Sequence, residues 1–108
     1  MPDAAKIAAL NDRARQRLDH CRWILTQGVL ACDPITVAEL LIAVEDFDAF
    51  TPDNDPYAEH DFGSFRHAAE TIFWKFDYYD VDLQMHSPDP SDPAVTARVL
   101  TIMLADEY

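Results

Sequence analysis

The chain has 108 residues, of which 49% are hydrophobic and 26% are charged, and this composition is that of a folded protein rather than a disordered one. Its length predicts one domain spanning residues 1–108, with a core large enough to fold without a metal or a disulfide. Twenty acidic residues against eight basic ones give a net charge of −12, so we expect no direct binding to nucleic acid and an attraction to basic protein surfaces.

The sequence carries no sign of export or of membrane insertion. The N-terminus lacks a basic start followed by an apolar run, and no apolar stretch approaches the roughly 18 residues of a membrane span. Cys21 and Cys32 are too few for a disulfide framework. We therefore expect a cytoplasmic, reduced protein without a membrane partner.

Residues 4–21 form the first predicted element. Apolar side chains recur there three and four positions apart, which indicates an amphipathic helix whose outer face is basic. Residues 22–27 change to bulky, extended types and predict a strand that reaches at most to Leu30, with Gly28 at a bulge or turn.

A second helix is predicted in the segment that follows. Thr36 and Glu39 have the spacing of a capping box, and apolar residues continue at helical spacing to about Asp46. A strand over residues 40–44 is the alternative, because periodicity does not separate the two structures in a short apolar run.

The second half of the chain has the alternating pattern of strands. Residues 62–67 predict a short strand, and residues 72–78 predict a longer one with apolar side chains on one face and charged ones on the other. Residues 81–85 alternate as well and predict a returning strand after a turn at positions 79–80.

The C-terminal segment predicts a closing helix. Three prolines between positions 88 and 93 exclude regular pairing, Asp92 is the expected N-cap and Pro93 the expected first helical residue. A helix over residues 93–105 follows. These elements together predict an α+β fold, in which an antiparallel sheet of three or four strands has about three helices packed on one face.

The segment from Asp53 to Gly63 concentrates the residue types of functional sites, with four carboxylates and a histidine in eleven residues. One interpretation is structural: His60 and Asp61 hold the backbone of the loop, and Gly63 supplies either a positive φ or room for Trp74. Two further interpretations concern chemistry and binding.

A metal site or a catalytic site would be centred on Glu59, His60 and Asp61, because carboxylates and imidazole are common ligands and general bases. The calcium EF-hand pattern fails, since Ala58 and Ser64 stand where it needs Gly and Glu. No nucleophile elbow, phosphate-binding glycine loop or dinucleotide motif is present. We therefore expect no cofactor and no enzymatic activity, and keep a metal-dependent enzyme or metal-binding module as the alternative.

An acidic interaction surface is the interpretation that the sequence favours. No Lys or Arg lies between Asp33 and Phe65, and residues 23–108 hold 17 acids and three bases, a net charge of −14. Carboxylates on rigid elements can imitate the phosphates of a nucleic acid duplex, and tyrosines can anchor an interface. The predicted partner-binding residues are Glu45, Asp46, Asp48, Asp53, Asp55, Tyr57, Glu59, Asp61, Asp77, Tyr79, Asp80 and Asp82.

Several segments also resemble a known family. They are residues 47–51, 54–56, 59–63, 74–80 and 98–105, with Phe76 at a position where the common pattern has Ile. The chain resembles a family of small bacterial proteins that is catalogued as a domain of unknown function and is common on plasmids and other mobile elements of proteobacteria. The resemblance implies no activity, but it implies a genetic setting in which anti-defence proteins are frequent.

Charge and resemblance together favour a non-enzymatic inhibitor that engages a basic nucleic-acid-binding protein. Its most concrete form is an anti-CRISPR or anti-restriction protein that mimics nucleic acid. A homodimeric accessory protein is a further alternative.

Overall fold

The computed structural model describes residues 3–108, in which three helices and four strands form the fold. The helices are α1 (Ala4–Arg15), α2 (Gln27–Leu30) and α3 (Pro34–Asp46). The strands are β1 (Arg22–Leu25), β2 (Phe62–His67), β3 (Glu70–Tyr79) and β4 (Ala97–Leu104). Single 3-10 turns precede and follow β4, at Pro93–Val95 and Ala105–Glu107.

The four strands form one mixed sheet in the order β1-β4-β3-β2. Strand β3 is antiparallel to both β2 and β4, whereas β1 runs parallel to β4, with Arg22 opposite Val99. The α+β class and the number of elements are confirmed, but the prediction of an antiparallel sheet was wrong for the pair β1 and β4. About 70 residues separate these two strands in the sequence, so no local turn signal could indicate their relative direction.

The hydrophobic core lies between the sheet and the helices. Ile72, Trp74 and Phe76 of β3 face this side and are at most 5% exposed, which confirms the alternation predicted for residues 72–78. Because all three helices contribute to one cluster with β3 and β4, they pack on the same face of the sheet. The other members of this cluster are Ala14, Val29, Leu40, Val44, Leu100 and Ile102.

Helix α1 ends earlier than predicted, at Arg15 instead of near Cys21. Arg17 adopts a positive φ of 61° and its N–H donates to the carbonyl of Ala14, while the N–H of Leu18 donates to the carbonyl of Arg13. This pair of bonds is the Schellman motif, which closes the helix.

The elements that follow α1 also differ from the prediction at their ends. Strand β1 stops at Leu25, and Gly28 lies in the one-turn helix α2 rather than at a bulge. Helix α3 is present, which excludes the alternative strand over residues 40–44, and it begins at Pro34. Its N-cap is Asp33, whose carboxylate accepts the N–H of Thr36 at 2.9 Å. The predicted capping box on Thr36 was therefore wrong.

Residues 81–85 form no strand. Val81 and Met85 are 62% and 71% exposed, and only an isolated bridge joins Tyr79 to His86. The prediction of a strand at residues 81–85 was therefore wrong. Polar and apolar residues can alternate by chance in an exposed turn, where the alternation does not reflect a buried face.

The predicted closing helix over residues 93–105 was wrong as well. Asp92 and Pro93 do begin a helical turn, and the carboxylate of Asp92 accepts the N–H of Ala94, but the turn ends at Val95. The segment from Ala97 to Leu104 is the central strand β4, five of whose eight residues are buried. A central strand that is covered on both faces has no polar alternation, so its apolar run resembles that of a helix.

Candidate functional site

His60 lies at the centre of the loop between α3 and β2. Its ring stacks on Phe50, with centroids 3.9 Å apart and 3° between the planes. Nδ1 lies 2.9 Å from Oδ1 of Asp12 in α1, and Nε2 lies 3.6 Å from Oδ2 of Asp55. The backbone N–H of His60 also donates to Oδ1 of Asp55 at 3.2 Å. The imidazole therefore ties the loop both to itself and to α1.

The path of the loop depends on two residues with positive φ, Ala58 at 56° and His60 at 55°. Each such residue costs about 1 kcal/mol or more unless it is glycine, and the contacts of His60 offset that cost. Gly63 does not have a positive φ, so this part of the prediction was wrong. Its role is to leave room for Trp74, since a Cβ at Gly63 would lie 2.3 Å from Nε1 of the indole.

Arg15 connects α1 to the end of α3. It is 2% exposed, and its Nη1 donates to the carbonyls of Val44 and Phe47, both at 2.8 Å. Its Nη2 donates to Asp12 at 3.0 Å, on the carboxylate that also holds His60. The sequence pattern placed Arg15 on the outer face of α1, whereas it is buried in the structure. It donates to carbonyls at the C-terminal end of α3 that have no hydrogen-bond donor within the helix.

Asn11 is a second buried junction, with no exposed surface. Its Nδ2 donates to the carbonyl of Glu59 at 3.0 Å and to the hydroxyl of Tyr78 at 2.8 Å. Its Oδ1 accepts from Nε of Arg98 at 2.8 Å. Burial, together with the nearby carboxylates of Asp61 and Glu59, raises the pKa of Tyr78. The sequence offered no signal for Asn11, because its partners lie 48, 67 and 87 positions away.

Glu59 and Asp61 are half-buried carboxylates at the edge of this network. Burial raises the pKa of Glu59, and the neighbouring carboxylates of Asp61 and Asp55 raise it further. Burial likewise raises the pKa of Asp61, with an added contribution from Asp55. Neither forms an ion pair with any base in residues 3–108.

Some of the predicted partner-binding residues have partners within the fold. Glu45 pairs with Arg17 at 2.9 Å, and Asp77 pairs with Lys75 at 3.1 Å. Asp55 is only 7% exposed, and the carboxylate of Asp80 accepts backbone N–H groups of the turn that follows it. The engaged residues are Glu45, Asp55, Asp77 and Asp80.

The remaining predicted residues are available to a partner. Six of them have exposed side chains that make no hydrogen bond or ion pair with the residues that the structure describes. The other two, Glu59 and Asp61, are the half-buried carboxylates discussed above. Tyr57 is 76% exposed, and Tyr79 is 37% exposed on the sheet face that points away from the helices. The exposed residues are Asp46, Asp48, Asp53, Tyr57, Tyr79 and Asp82.

The alternative metal site on Glu59, His60 and Asp61 is not assembled. Both ring nitrogens of His60 are directed at carboxylates outside this set, those of Asp12 and Asp55. Across residues 3–108, no group of three or more His, Cys, Asp or Glu side chains is arranged to hold a metal ion. In the same range, no helix has the length and hydropathy that crossing a membrane requires.

Comparison with known proteins identifies a family. Residues 25–107 match the model of a family described as "Protein of unknown function (DUF3768)". No curated protein matches the chain, and no solved structure does.

Proposed function

Since the chain belongs to this family of unknown function, whose description states no activity, we propose from the residues themselves that it is a non-enzymatic acidic binding protein that engages a basic nucleic-acid-binding protein. Its binding surface is the acidic loop surface, which we define as the exposed Asp46, Asp48 and Asp53 with the half-buried Glu59 and Asp61. Asp55 is left out because it is buried against His60.

The observation that carries the proposal is the position of Glu59 and Asp61, two half-buried carboxylates that form no ion pair with a base among residues 3–108. Their burial and the neighbouring carboxylates raise the pKa of both. A raised pKa means that the folded chain disfavours the ionised form of both carboxyl groups. A cation brought by a partner would remove part of this unfavourable free energy. Binding to a basic surface is therefore favoured at this position beyond the general attraction of opposite charges.

The distribution of the bases supports the same conclusion. Arg15 of α1 forms an ion pair with Asp12, and Arg17 in the turn after α1 forms one with Glu45. The segment between Asp33 and Phe65 contributes no base of its own. The outward field of the loop therefore stays negative over a distance comparable to the Debye length, about 8 Å at physiological salt.

The most concrete form of the function is an anti-defence protein that occupies the nucleic-acid channel of a restriction enzyme or CRISPR effector in the cytoplasm. An acidic surface supports this form because such channels are basic and select for phosphate-like arrays of charge. Association of this kind is fast and weakens as the salt concentration rises.

The test compares two double variants that each remove two charges. Asp53→Asn with Glu59→Gln neutralises the acidic loop surface, whereas Glu70→Gln with Asp106→Asn removes two exposed acids elsewhere. Both are expressed in hosts that carry a restriction system or a CRISPR effector, and the efficiency of plating of unmodified phage is measured. We expect the unchanged chain and the second variant to protect the phage, and the first variant to protect it about tenfold less.

The same proteins are then tested for release of duplex DNA from the purified effector at low and high salt. Protection against none of the effectors in the panel would overturn the proposal. Equal protection by the two double variants would overturn the assignment to the acidic loop surface.

A further inference from the structure

We propose that a basic pocket at the start of β1 and β4, formed by His20, Arg22 and Arg98, binds the phosphate or carboxylate group of a small organic molecule. This inference goes beyond the proposed function, because it assigns a site for an anionic ligand, whereas the proposed partner of the acidic loop surface is basic. It concerns a different part of the molecule from the acidic loop surface, so each can fail without the other.

The sheet topology builds this pocket. Strands β1 and β4 are parallel neighbours, and Arg22 is paired with Val99, so both strands begin at the same edge of the sheet. The residues just before each strand and at its start are thereby brought together. They enclose a pocket of about 330 Å³ whose lining includes His20, Arg22, Thr96 and Arg98, with Val81 and Leu83 from the turn after β3.

Arg98 is the buried base of the pocket. It is 8% exposed, and its Nε donates to Asn11 at 2.8 Å while its Nη2 donates to the carbonyl of Pro90. Its Nη1 has no acceptor among residues 3–108 and is not one of the buried polar atoms without a partner, so this nitrogen keeps some exposed surface on a residue that lines the pocket. A guanidinium that is fixed by two bonds and has free N–H groups on its third nitrogen is a preorganised donor for an oxyanion.

Four of the eight bases form no ion pair with the residues that the structure describes, and two of these four, Arg22 and Arg98, lie together in this pocket. Arg13, Arg15 and Lys75 form ion pairs with carboxylates, as expected where acids outnumber bases twenty to eight. Arg22 and Arg98 form none with the described residues, although they line the same pocket.

Acidic residues do not line the pocket itself. Asp19 lines an adjoining recess of about 80 Å³ together with Arg98. Both oxygens of Asp19 accept hydrogen bonds from Arg13, at 2.8 and 3.1 Å. Asp19 is thus paired with Arg13, and none of the residues that line the pocket supplies a carboxylate to its two arginines.

The lining indicates the chemical class of the ligand. Two guanidinium groups and an imidazole suit a phosphate or carboxylate, which accepts paired N–H donors. Val81 and Leu83, which are 62% and 41% exposed, form an apolar wall that suits an organic body rather than a bare ion. A volume of about 330 Å³ is at the small end of ligand pockets, which begin at roughly 300 Å³.

The probes for this site are phenyl phosphate and phenylacetate, with 2-phenylethanol as the neutral analogue. Each is titrated into the uniformly ¹⁵N-labelled full chain at constant ionic strength, and the backbone amide shifts are followed. We expect saturable shifts at residues 20–22 and 96–98 with the two anions and none with the alcohol. The anion that saturates at the lower concentration identifies the preferred group.

Arg22→Gln is the decisive variant, because Arg22 is exposed and its loss should not unfold the chain, whereas Arg98 also holds Asn11. Arg66→Gln is the matched control, an exposed arginine on the other edge strand. We expect Arg22→Gln to weaken anion binding about tenfold and Arg66→Gln to leave it unchanged. The absence of saturable shifts with both anions, or equal weakening by the two variants, would overturn the proposal.

Discussion

The carboxylates differ in the direction of their pKa shifts, and the direction tells what each does for the fold. Backbone and side-chain hydrogen bonds from Thr36 lower the pKa of Asp33, so the ionised cap stabilises α3. Burial and neighbouring acids raise the pKa of Glu59 and Asp61, so their ionised forms destabilise the folded chain. By linkage, these opposite shifts give opposite dependences of stability on pH.

Neutralising the destabilising acids should therefore stabilise the protein at neutral pH. For Glu59→Gln and Asp61→Asn we expect a gain of roughly 0.5 kcal/mol each at pH 7, kept small because both groups are partly solvated. The gain should disappear as the pH falls through the raised folded-state pKa, since the unchanged chain then also holds a neutral group. Urea unfolding at pH 7, 5 and 3 measures it.

Asp33→Asn provides the comparison of opposite sign. Its folded-state pKa is lowered, so the stability that the charged cap supplies is present above the unfolded-state pKa and is lost as the pH falls through the folded-state value. The variant should be less stable than the unchanged chain at pH 7, and the two should converge in acid. A variant of Glu59 or Asp61 that loses stability at pH 7 would contradict this account.

Gly63 is required by packing and not by backbone conformation. A Cβ there would lie 2.3 Å from Nε1 of Trp74, whose side chain is completely buried and has no space to withdraw. We expect Gly63→Ala to reduce the free energy of unfolding by about 2 kcal/mol, the usual scale for overpacking. Gly28→Ala is the control, because its Cβ would meet the carboxylate of the exposed Glu107 and a methyl of the partly exposed Leu104, which can shift towards solvent as the buried indole cannot. An equal loss in both variants would contradict the assignment.

At the scale of elements, the sequence predicts those parts of the fold whose exposure alternates. Strand β3 was predicted because one face is buried under the helices and the other is partly solvated. Strand β4 was mistaken for a helix because it lies between two strands and is buried on both faces. The order of the strands could not be predicted from the sequence, since the pairing of β1 with β4 depends on contacts between segments that are distant along the chain.

The same limit applies to the candidate site. The loop around His60 was recognised from residue types alone, and its structural role was one of the predicted interpretations. The residues that hold it, Asn11, Asp12 and Arg15, were read as parts of an ordinary helix. Nothing local distinguishes a buried asparagine or arginine on a helix from an exposed one, because the difference lies in partners from other elements.

The hairpin that joins β2 to β3 is an element under local strain. Its loop has two residues, Ala68 and Ala69, and Ala68 has a positive φ of 54°. Two-residue hairpins favour glycine at such positions. We expect Ala68→Gly to increase the free energy of unfolding by about 0.5 kcal/mol. This is the free energy gained by relieving the strain, minus the free energy lost because glycine makes the unfolded chain more flexible.

Ala69→Gly is the control for the hairpin, because Ala69 has no positive φ. It should be neutral or slightly destabilising, since glycine then only adds flexibility to the unfolded chain. Urea unfolding of the two variants measures both effects. Destabilisation by Ala68→Gly would show that the strain is absent.

At the scale of the whole molecule, the two proposed sites use charge in opposite ways. The acidic loop surface gathers carboxylates that lack bases, and the basic pocket gathers arginines that lack acids. Their separation is possible because residues 1–22 hold five of the eight bases and because three of those five form ion pairs within the fold. The chain as a whole nevertheless keeps a net charge of −12, which must act on its stability.

A net charge of this size opposes the compact state through self-repulsion, and salt screens that repulsion. Most ion pairs of the fold are partly exposed and contribute little that salt could remove. We therefore expect the melting temperature at pH 7 to rise by roughly 5 °C between low salt and about 0.5 M NaCl, which corresponds to about 1 kcal/mol for a chain of this length.

Scanning calorimetry at two pH values separates this effect from a general action of salt. Near the isoelectric point of about 4.3 the net charge vanishes, and the rise in melting temperature should vanish with it. The double variant Asp53→Asn with Glu59→Gln should show a smaller rise than the unchanged chain at pH 7, because it lowers the net negative charge by two. A melting temperature that falls with salt at pH 7 would mean that ion pairs, rather than self-repulsion, dominate the electrostatics of the fold.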